Sequence, residues 1–369
     1  LTFTHSAALE ALLGHGPVRA DLDAIRQEFA GKSVLVTGAG GSIGSHLSSR
    51  LMSVGLVRLT CLDRNGLHLQ RLHTQIAHPA SATRQEFHVA DILEEQNLQQ
   101  IFADARPDFV FHVAAHKHVV PMESNVKAAV RNNVFGTLSV LRAAEVAGTQ
   151  KLIFVSSDKA VHPVSIVGVT KRIGELMLGA WPSSGMCCIS ARFGNVIGSS
   201  GSVLPIWGEQ LENGMPLTLT DPQATRFFLL PIDAVTLLLE ASSLGNHGDI
   251  FVFEMEKPVR ILDLAHAFLR LNLRSPHESV IQFTGLGKGE KLEERLFYVD
   301  EVVAQTKFEK IKRTSVTTQD WCQLLQHLQV LDTLLVSGSD DEVRSKLQAI
   351  EPEYTFMRNS GNSRREATM

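Results

Sequence analysis

The chain reads as an α/β protein, a doubly wound parallel sheet followed by a smaller second domain. Three observations predict this. Short β-branched runs alternate with helical stretches from Lys32 to about Ile153, a glycine-rich turn joins the first run to the first helix, and the texture changes after Arg192. The runs are Ser33–Thr37, Leu59–Asp63, Glu86–Ala90, Phe109–Val113 and Lys151–Val155. Each is followed by a helix-length segment, so the strands must be joined by crossovers and lie parallel.

The elements follow in order. Residues 1–30 form a leading arm with one helix, Leu22–Phe29. Residues 31–192 form the main domain, to which part of 226–252 returns. The helix after Gly44 carries Leu47, Leu51 and Val54 at helical spacing. Ser124–Ala147 reads as one long amphipathic helix stopped by Gly148. Gly194, Gly198, Gly201, Gly208 and Gly214 then break residues 193–330 into short elements, expected over the carboxyl edge of the sheet. Residues 331–369 are expected to hold a helix and a polar, disordered tail from Asn359.

Composition narrows the function. Of 369 residues, 44% are hydrophobic and 20% charged, which suits a soluble globular protein. The formal net charge of −4, without a basic block, gives no support for a nucleic-acid partner. The four cysteines, Cys61, Cys187, Cys188 and Cys322, form no C-x-x-C pair, so a reducing compartment is expected rather than a disulfide framework. No apolar run approaches membrane-spanning length, and no signal-peptide pattern is visible. The chain opens on Leu1, not methionine, so a preceding segment is expected in a longer gene product.

Thr37-Gly38-Ala39-Gly40-Gly41-Ser42-Ile43-Gly44 carries the first chemistry. Glycines let backbone N–H groups approach a pyrophosphate, and the helix N-terminus adds partial positive charge. This is a Rossmann dinucleotide turn. Asp63 ends the next strand 25 residues after Gly38, where a carboxylate holds the adenine ribose hydroxyls. Asp91 and Ile92 follow the third strand and are placed to meet the adenine. An acid at Asp63 repels a 2′-phosphate, so NAD is expected over NADP. Neighbouring Arg64 keeps NADP open as the alternative.

Ser156-Ser157-Asp158-Lys159 follows the strand ending at Val155, and Lys171 lies twelve residues after Lys159 on the next helix. In short-chain dehydrogenases a Tyr-x-x-x-Lys pair moves the alcohol proton. Here the position four before Lys171 is Val167, which cannot transfer one. His112, His116 and His118 have no carboxylate or cysteine partner at metal-ligand spacing, so no metal is expected.

Together these stretches resemble the bacterial CapD-like polysaccharide-biosynthesis proteins, the UDP-N-acetylglucosamine 4,6-dehydratases of the extended short-chain dehydrogenase/reductase type. The likeness runs over about residues 10–300: Val34–Gly44, Phe111–His118, Ser156–Arg172, Arg192-Phe193-Gly194-Asn195-Val196, Thr225-Arg226-Phe227-Phe228 and Gly289-Glu290-Lys291-Leu292. The leader from Leu12-Leu13-Gly14 through Gly31 resembles the segment before the catalytic domain of long, membrane-tethered members, which tend to lack the tyrosine. The chain departs from the common pattern at Gly287-Lys288, where Arg-Pro is frequent, and at His116, where an aromatic is common.

The resemblance implies an NAD-dependent hydro-lyase acting on a UDP-sugar for glycan biosynthesis. It assigns Lys159 as the base at carbon 5 and Asp158 as the acid for the 6-hydroxyl, with Ser157 and Lys171 beside them. A lysine acting as base needs a lowered pKa, expected from the nicotinamide and Lys171. Gly38, Gly41, Ser42, Ile43, Gly44, Asp63, Arg64, Asp91, Ile92, Ala114, Ala115 and Lys171 fall to the cofactor. Asn195 and Arg226 fall to the diphosphate, Glu290 and Lys291 to the ribose or second phosphate, and Lys117 to the substrate side. A homo-oligomer is expected, in the cytoplasm or at the cytoplasmic face of the inner membrane if a tether precedes Leu1. Two other readings stand beside this one: an epimerase sharing the 4-keto intermediate, and a non-catalytic sugar-nucleotide sensor that lost the tyrosine.

Overall fold

Strand β1 (Ser33–Thr37) is buried along its whole length, and a strand apolar on both faces needs cover on both. In the computed structural model it lies inside the sheet, paired on both sides. The structure describes residues 21–356 apart from 78–80, 183–184, 256, 273–280 and 317–318, together with Glu10, Leu13 and Val18.

β2 (Arg58–Asp63), β3 (Arg84–Val89), β4 (Phe109–His112), β5 (Lys151–Val155) and β6 (Cys187–Arg192) pair in parallel in the order β3-β2-β1-β4-β5-β6. The order reverses between β1 and β4, which opens a crevice at the strands' carboxyl ends. The five expected runs all appear as strands, with ends within about two residues.

The sheet does not stop at β6. After the short strands β7 (Asn195–Val196), β8 (Leu217–Leu219), β9 (Thr225–Arg226) and β10 (Phe228–Leu229), β11 (Asp249–Phe253) returns to lie parallel to β6. Beyond β12 (Val259–Arg260) and β13 (Ile281–Phe283), two further strands, β14 (Ala304–Gln305) and β15 (Ile311–Ser315), extend that edge antiparallel. The sheet is therefore mixed at this edge. Residues 304–315, expected in the second domain, belong by pairing to the main sheet because β11 leaves an open edge that β15 closes.

Apolar clusters fill both faces of the sheet. A third cluster around Trp207, Phe228 and Phe268 holds the short strands and the helices Val203–Glu212 and Ile261–Asn272 together. Helix Leu22–Phe29 has its expected bounds and buries Ile25 and Phe29, the latter against Phe109 and Phe111.

Two expectations need correcting. The stretch Ser124–Ala147 is not one regular helix: Val126–Val130 and Gly136–Val146 are α-helical, with a π-helical turn, Arg131–Phe135, between them. A wide turn re-aims side chains, and here it carries Asn133. Its amide accepts from His116 N at 2.8 Å and donates to His116 O at 2.9 Å and Thr170 Oγ1 at 3.0 Å. The carboxyl-terminal region holds two helices, Trp321–Ser337 and Asp340–Ile350, where one was expected after residue 331. A capping box at Ser339 and Glu342 starts the second. The tail from Asn359 lies outside the described residues.

Candidate active site

The glycine turn is built for close approach. Gly38 has φ +66°, and a Cβ there would stand 2.8 Å from Ala114 Cα and N. A Cβ on Gly44 would stand 2.1 Å from Gly38 O. Helix Ser42–Leu51, which includes Ile43, opens from Gly41 with no side-chain cap, so no cap side chain occupies its first N–H groups. Asp63, nearly buried, braces this turn: it accepts from Gly40 N at 3.0 Å and from Asn65 N at 2.9 Å. Beyond it a cleft of about 630 Å³ is lined by Arg64, Asn65, Val89, Asp91 and Glu94. Arg64 lies against His116, 3.4 Å from each ring nitrogen. Asp91 accepts from Leu93 N, and Ile92 packs under Gly136.

A buried polar chain ties the turn to the next loop. Ala114 N donates to Thr37 Oγ1, which bonds His112 Nδ1 at 2.8 Å, while His112 Nε2 bonds Thr137 Oγ1 at 2.9 Å. Thr137 spends its own proton on Asn133 O, so His112 must donate from Nε2 and accept at Nδ1. Burial, with the Lys171 charge second, pushes its pKa down to about 3, consistent with this neutral ring. Ala115 follows Ala114 along the same loop.

Strand β5 ends in a short 3₁₀ turn, Asp158–Ala160, capped by Ser157. Asp158 is fully buried. Its Oδ1 accepts from Ser157 Oγ at 2.9 Å and Lys159 Nζ at 3.0 Å, while Oδ2 has no partner among the described residues. Lys159 Nζ also donates to Asn195 Oδ1 at 2.9 Å and stands 3.8 Å from Glu294 Oε1. Burial works against its charge, but Asp158 and Glu294 outweigh burial and hold its pKa above the ordinary lysine value, with Arg226 opposing them. This corrects the part of the expectation that rested on Lys171: two carboxylates face the ammonium, and Lys171 is not among the charges that act on it. Lys171 Nζ instead donates to Val155 O at 2.7 Å and lies over the Phe154 ring. Burial brings its pKa to about 7, with Glu175 opposing. Val167 is buried in the helix Ile166–Ala180, whose Gly168 abuts Lys159 O.

The substrate-side residues separate. Asn195 joins the Asp158–Lys159 cluster. Arg226 donates to Thr225 O, Leu292 O and Lys291 O at 2.7, 3.1 and 2.8 Å. Lys291 donates to Val161 O at 2.7 Å and pairs with Glu294 at 3.0 Å. Glu290 accepts from Gly287 N within its own loop. Arg226, Glu290 and Lys291 thus also fasten the 287–294 segment beside the Ser157–Lys159 turn. Lys117 is exposed on the loop after β4, near enough for its ammonium to repel that of Lys159.

Sequence reading missed Glu294 and the cluster behind the turn. Fully buried Arg192 grips Glu175 at 3.0 and 2.8 Å and Glu301 at 2.9 and 3.0 Å, and Ser156 Oγ donates to Glu175 at 2.7 Å. Tyr298 OH donates to Ala160 O at 2.9 Å. Charged residues in apolar elements were the available signal, but nothing in the spacing says which pairs meet. Among the described residues no His, Cys, Asp and Glu group could hold a metal, and no helix is long and apolar enough to cross a membrane.

The reversed strand order, the glycine turn at its switch point and the Ser-Asp-Lys turn after β5 are the architecture of the extended short-chain dehydrogenase/reductases. Solved structures share it. Pen from Bacillus thuringiensis is 28% identical, with a TM-score of 0.72 over 79% of this chain and 90% of that one. The NAD-bound dTDP-glucose 4,6-dehydratase DesIV from Streptomyces venezuelae, at 22% identity, matches with a TM-score of 0.64 over 72% and 88%.

Within that class the chain belongs to the polysaccharide biosynthesis protein family, whose profile matches residues 34–316. The capsular polysaccharide biosynthesis protein CapD of Staphylococcus aureus is 38% identical over 84% of this chain and 52% of its own length. The probable polysaccharide biosynthesis protein EpsC of Bacillus subtilis is 37% identical over 87% and 54%. The chain spans about half the length of these two relatives. A UDP-glucose 4-epimerase of Rickettsia rickettsii is 32% identical over 74% of this chain and 80% of its own.

Proposed function

We propose that the chain is a nucleotide-sugar 4,6-dehydratase that uses NAD and converts UDP-N-acetylglucosamine to its 4-keto-6-deoxy product. The observation that carries this reading is the buried Asp158–Lys159 pair at 3.0 Å, at the carboxyl end of β5, with no phenol at position 167. The residues present fit the cofactor: Gly38 and Gly44 have no room for a Cβ, the helix N-terminus has no side-chain cap, and Asp63 braces the turn through Gly40 N. The glycine turn and the N-terminus of helix Ser42–Leu51 would hold NAD, which would supply reversible hydride acceptance to the sugar.

The protein's own residues move the protons. Carbon 5 is not acidic until carbon 4 is a ketone. Lys159 then takes the carbon-5 proton, and Asp158 gives a proton to the departing 6-hydroxyl, which leaves as water. The step needs a neutral amine and a protonated carboxyl. One transfer along the 3.0 Å contact from Lys159 Nζ to Asp158 produces both, because the pair holds a single proton between them. Lys159 later returns its proton to carbon 5. The 4-hydroxyl proton, which no tyrosine can take here, goes to solvent, and solvent restores the proton that Asp158 lost. Asn195 aims the amine, and the Ser157 hydroxyl holds Asp158 Oδ1 in place.

The relatives named as 4-epimerases favour a second reading, carbon-4 epimerisation through the same ketone. One experiment separates the two: incubation with a panel of UDP-, dTDP- and GDP-hexoses followed by mass analysis. The dehydratase reading expects a product lighter by one water. A product of unchanged mass with inverted carbon 4 would replace it with the epimerase.

A further inference from the structure

We propose that Glu294 is a positioning residue of the proton-transfer site, a single buried carboxylate shared by Lys159 and Lys291 that sets how firmly Lys159 keeps its proton. The inference rests on the reading of Lys159 as the proton-transfer lysine.

The placement of Glu294 is built. Its side chain is 3% exposed, with Oε1 3.8 Å from Lys159 Nζ and Oε2 3.0 Å from Lys291 Nζ. It comes from a segment remote in sequence from the catalytic turn, and that segment is fastened twice. Thr225 N and Arg226 bond the carbonyls of Leu292 and Lys291, and Lys291 Nζ bonds Val161 O just beyond the turn. The carboxylate is thus buried between two ammonium groups, and its charge acts on both.

Lys159 is faced by Asp158 from its own turn, Glu294 from the 291–294 segment, Arg226 from β9 and Lys117 from the loop after β4, with uncharged Asn195 from β7. Asp158 is committed to acid chemistry, so Glu294 is the carboxylate left to tune the amine. Lys291 competes for it from the closer side. Removing the carboxylate should ease Lys159 deprotonation. Removing the competing cation should hinder it. A merely structural role would not move the two variants in opposite directions.

The test reads Lys159 directly. Wild type, Glu294→Gln, Glu294→Asp and Lys291→Met are labelled with acetic anhydride across a pH series, and the Lys159 peptide is quantified by mass spectrometry. Glu294→Gln should move the Lys159 labelling midpoint down by about 1 to 3 pH units, Lys291→Met should move it up, and Glu294→Asp should restore part of the wild-type value. If Glu294→Gln leaves the midpoint in place or raises it, the inference falls. If Glu294→Gln does not fold, Lys291→Met alone decides, and a downward or absent shift overturns the proposal. Turnover of UDP-N-acetylglucosamine is measured alongside. An inert wild type with the expected labelling shifts would sink the dehydratase reading and leave only the hold of Glu294 on the Lys159 proton standing. Active enzyme with unmoved labelling would do the reverse.

Discussion

Lys171→Met should make the protein more stable and less able to hold its cofactor. The lysine is nearly buried, over Phe154, with its ammonium on Val155 O. Its pKa falls from 10.5 to about 7 on folding, chiefly by desolvation. Between those values the unfolded chain binds a proton that the folded chain does not, so this group makes stability rise with pH. The slope is about 1.4 kcal/mol per pH unit, and the whole window is worth roughly 5 kcal/mol, an order-of-magnitude figure. Below pH 7 the penalty is constant and at its largest; above 10.5 it is gone. Methionine keeps the packing over Phe154 and loses one hydrogen bond, worth about 1 kcal/mol. The assay is urea unfolding of both proteins from pH 6 to 10. The variant's advantage should be greatest near pH 6 to 7 and shrink steadily toward pH 10. Equal stability differences at every pH would refute the account of Lys171 as a buried, proton-shedding amine. Nucleotide retained through purification, measured on the same samples, should drop in the variant if Lys171 also meets the nicotinamide ribose.

Further outcomes concern the catalytic turn and the cofactor. Asp158→Asn and Lys159→Ala should each cut product formation by about 10²–10⁴-fold with nucleotide binding intact, whereas Val167→Tyr should give no comparable gain. An inert wild type switched on by Val167→Tyr alone would mark a disabled site and favour the sensor reading. Denaturing the native protein should release NAD, with NADP as the main species counting against the role given to Asp63. Gly44→Ala should abolish that nucleotide, because its Cβ would stand 2.1 Å from Gly38 O.

Local signals carried much of this protein. The alternation of apolar runs and helices is enough for a parallel sheet, because a strand buried on both faces needs a crossover between partners. The glycine turn, Asp63, and the adjacent Asp158 and Lys159 were visible because their spacing along the chain is itself the chemistry. Tertiary structure decided what spacing cannot encode. Glu294 meets Lys159 from 135 residues away in sequence, and Arg192 joins Glu175 to Glu301, because packing brings distant segments to one place. Arg226 and Lys291 carry the residue types of phosphate ligands, and folding gives them carbonyl and carboxylate partners that their spacing does not show. The π-turn at Arg131–Phe135 likewise answers to the His116 backbone, not to any period in its own sequence. The charge state of Lys159 follows the same rule. A lysine's residue type sets its ordinary pKa, and the direction of its shift depends on which charges stand around it once the chain has folded.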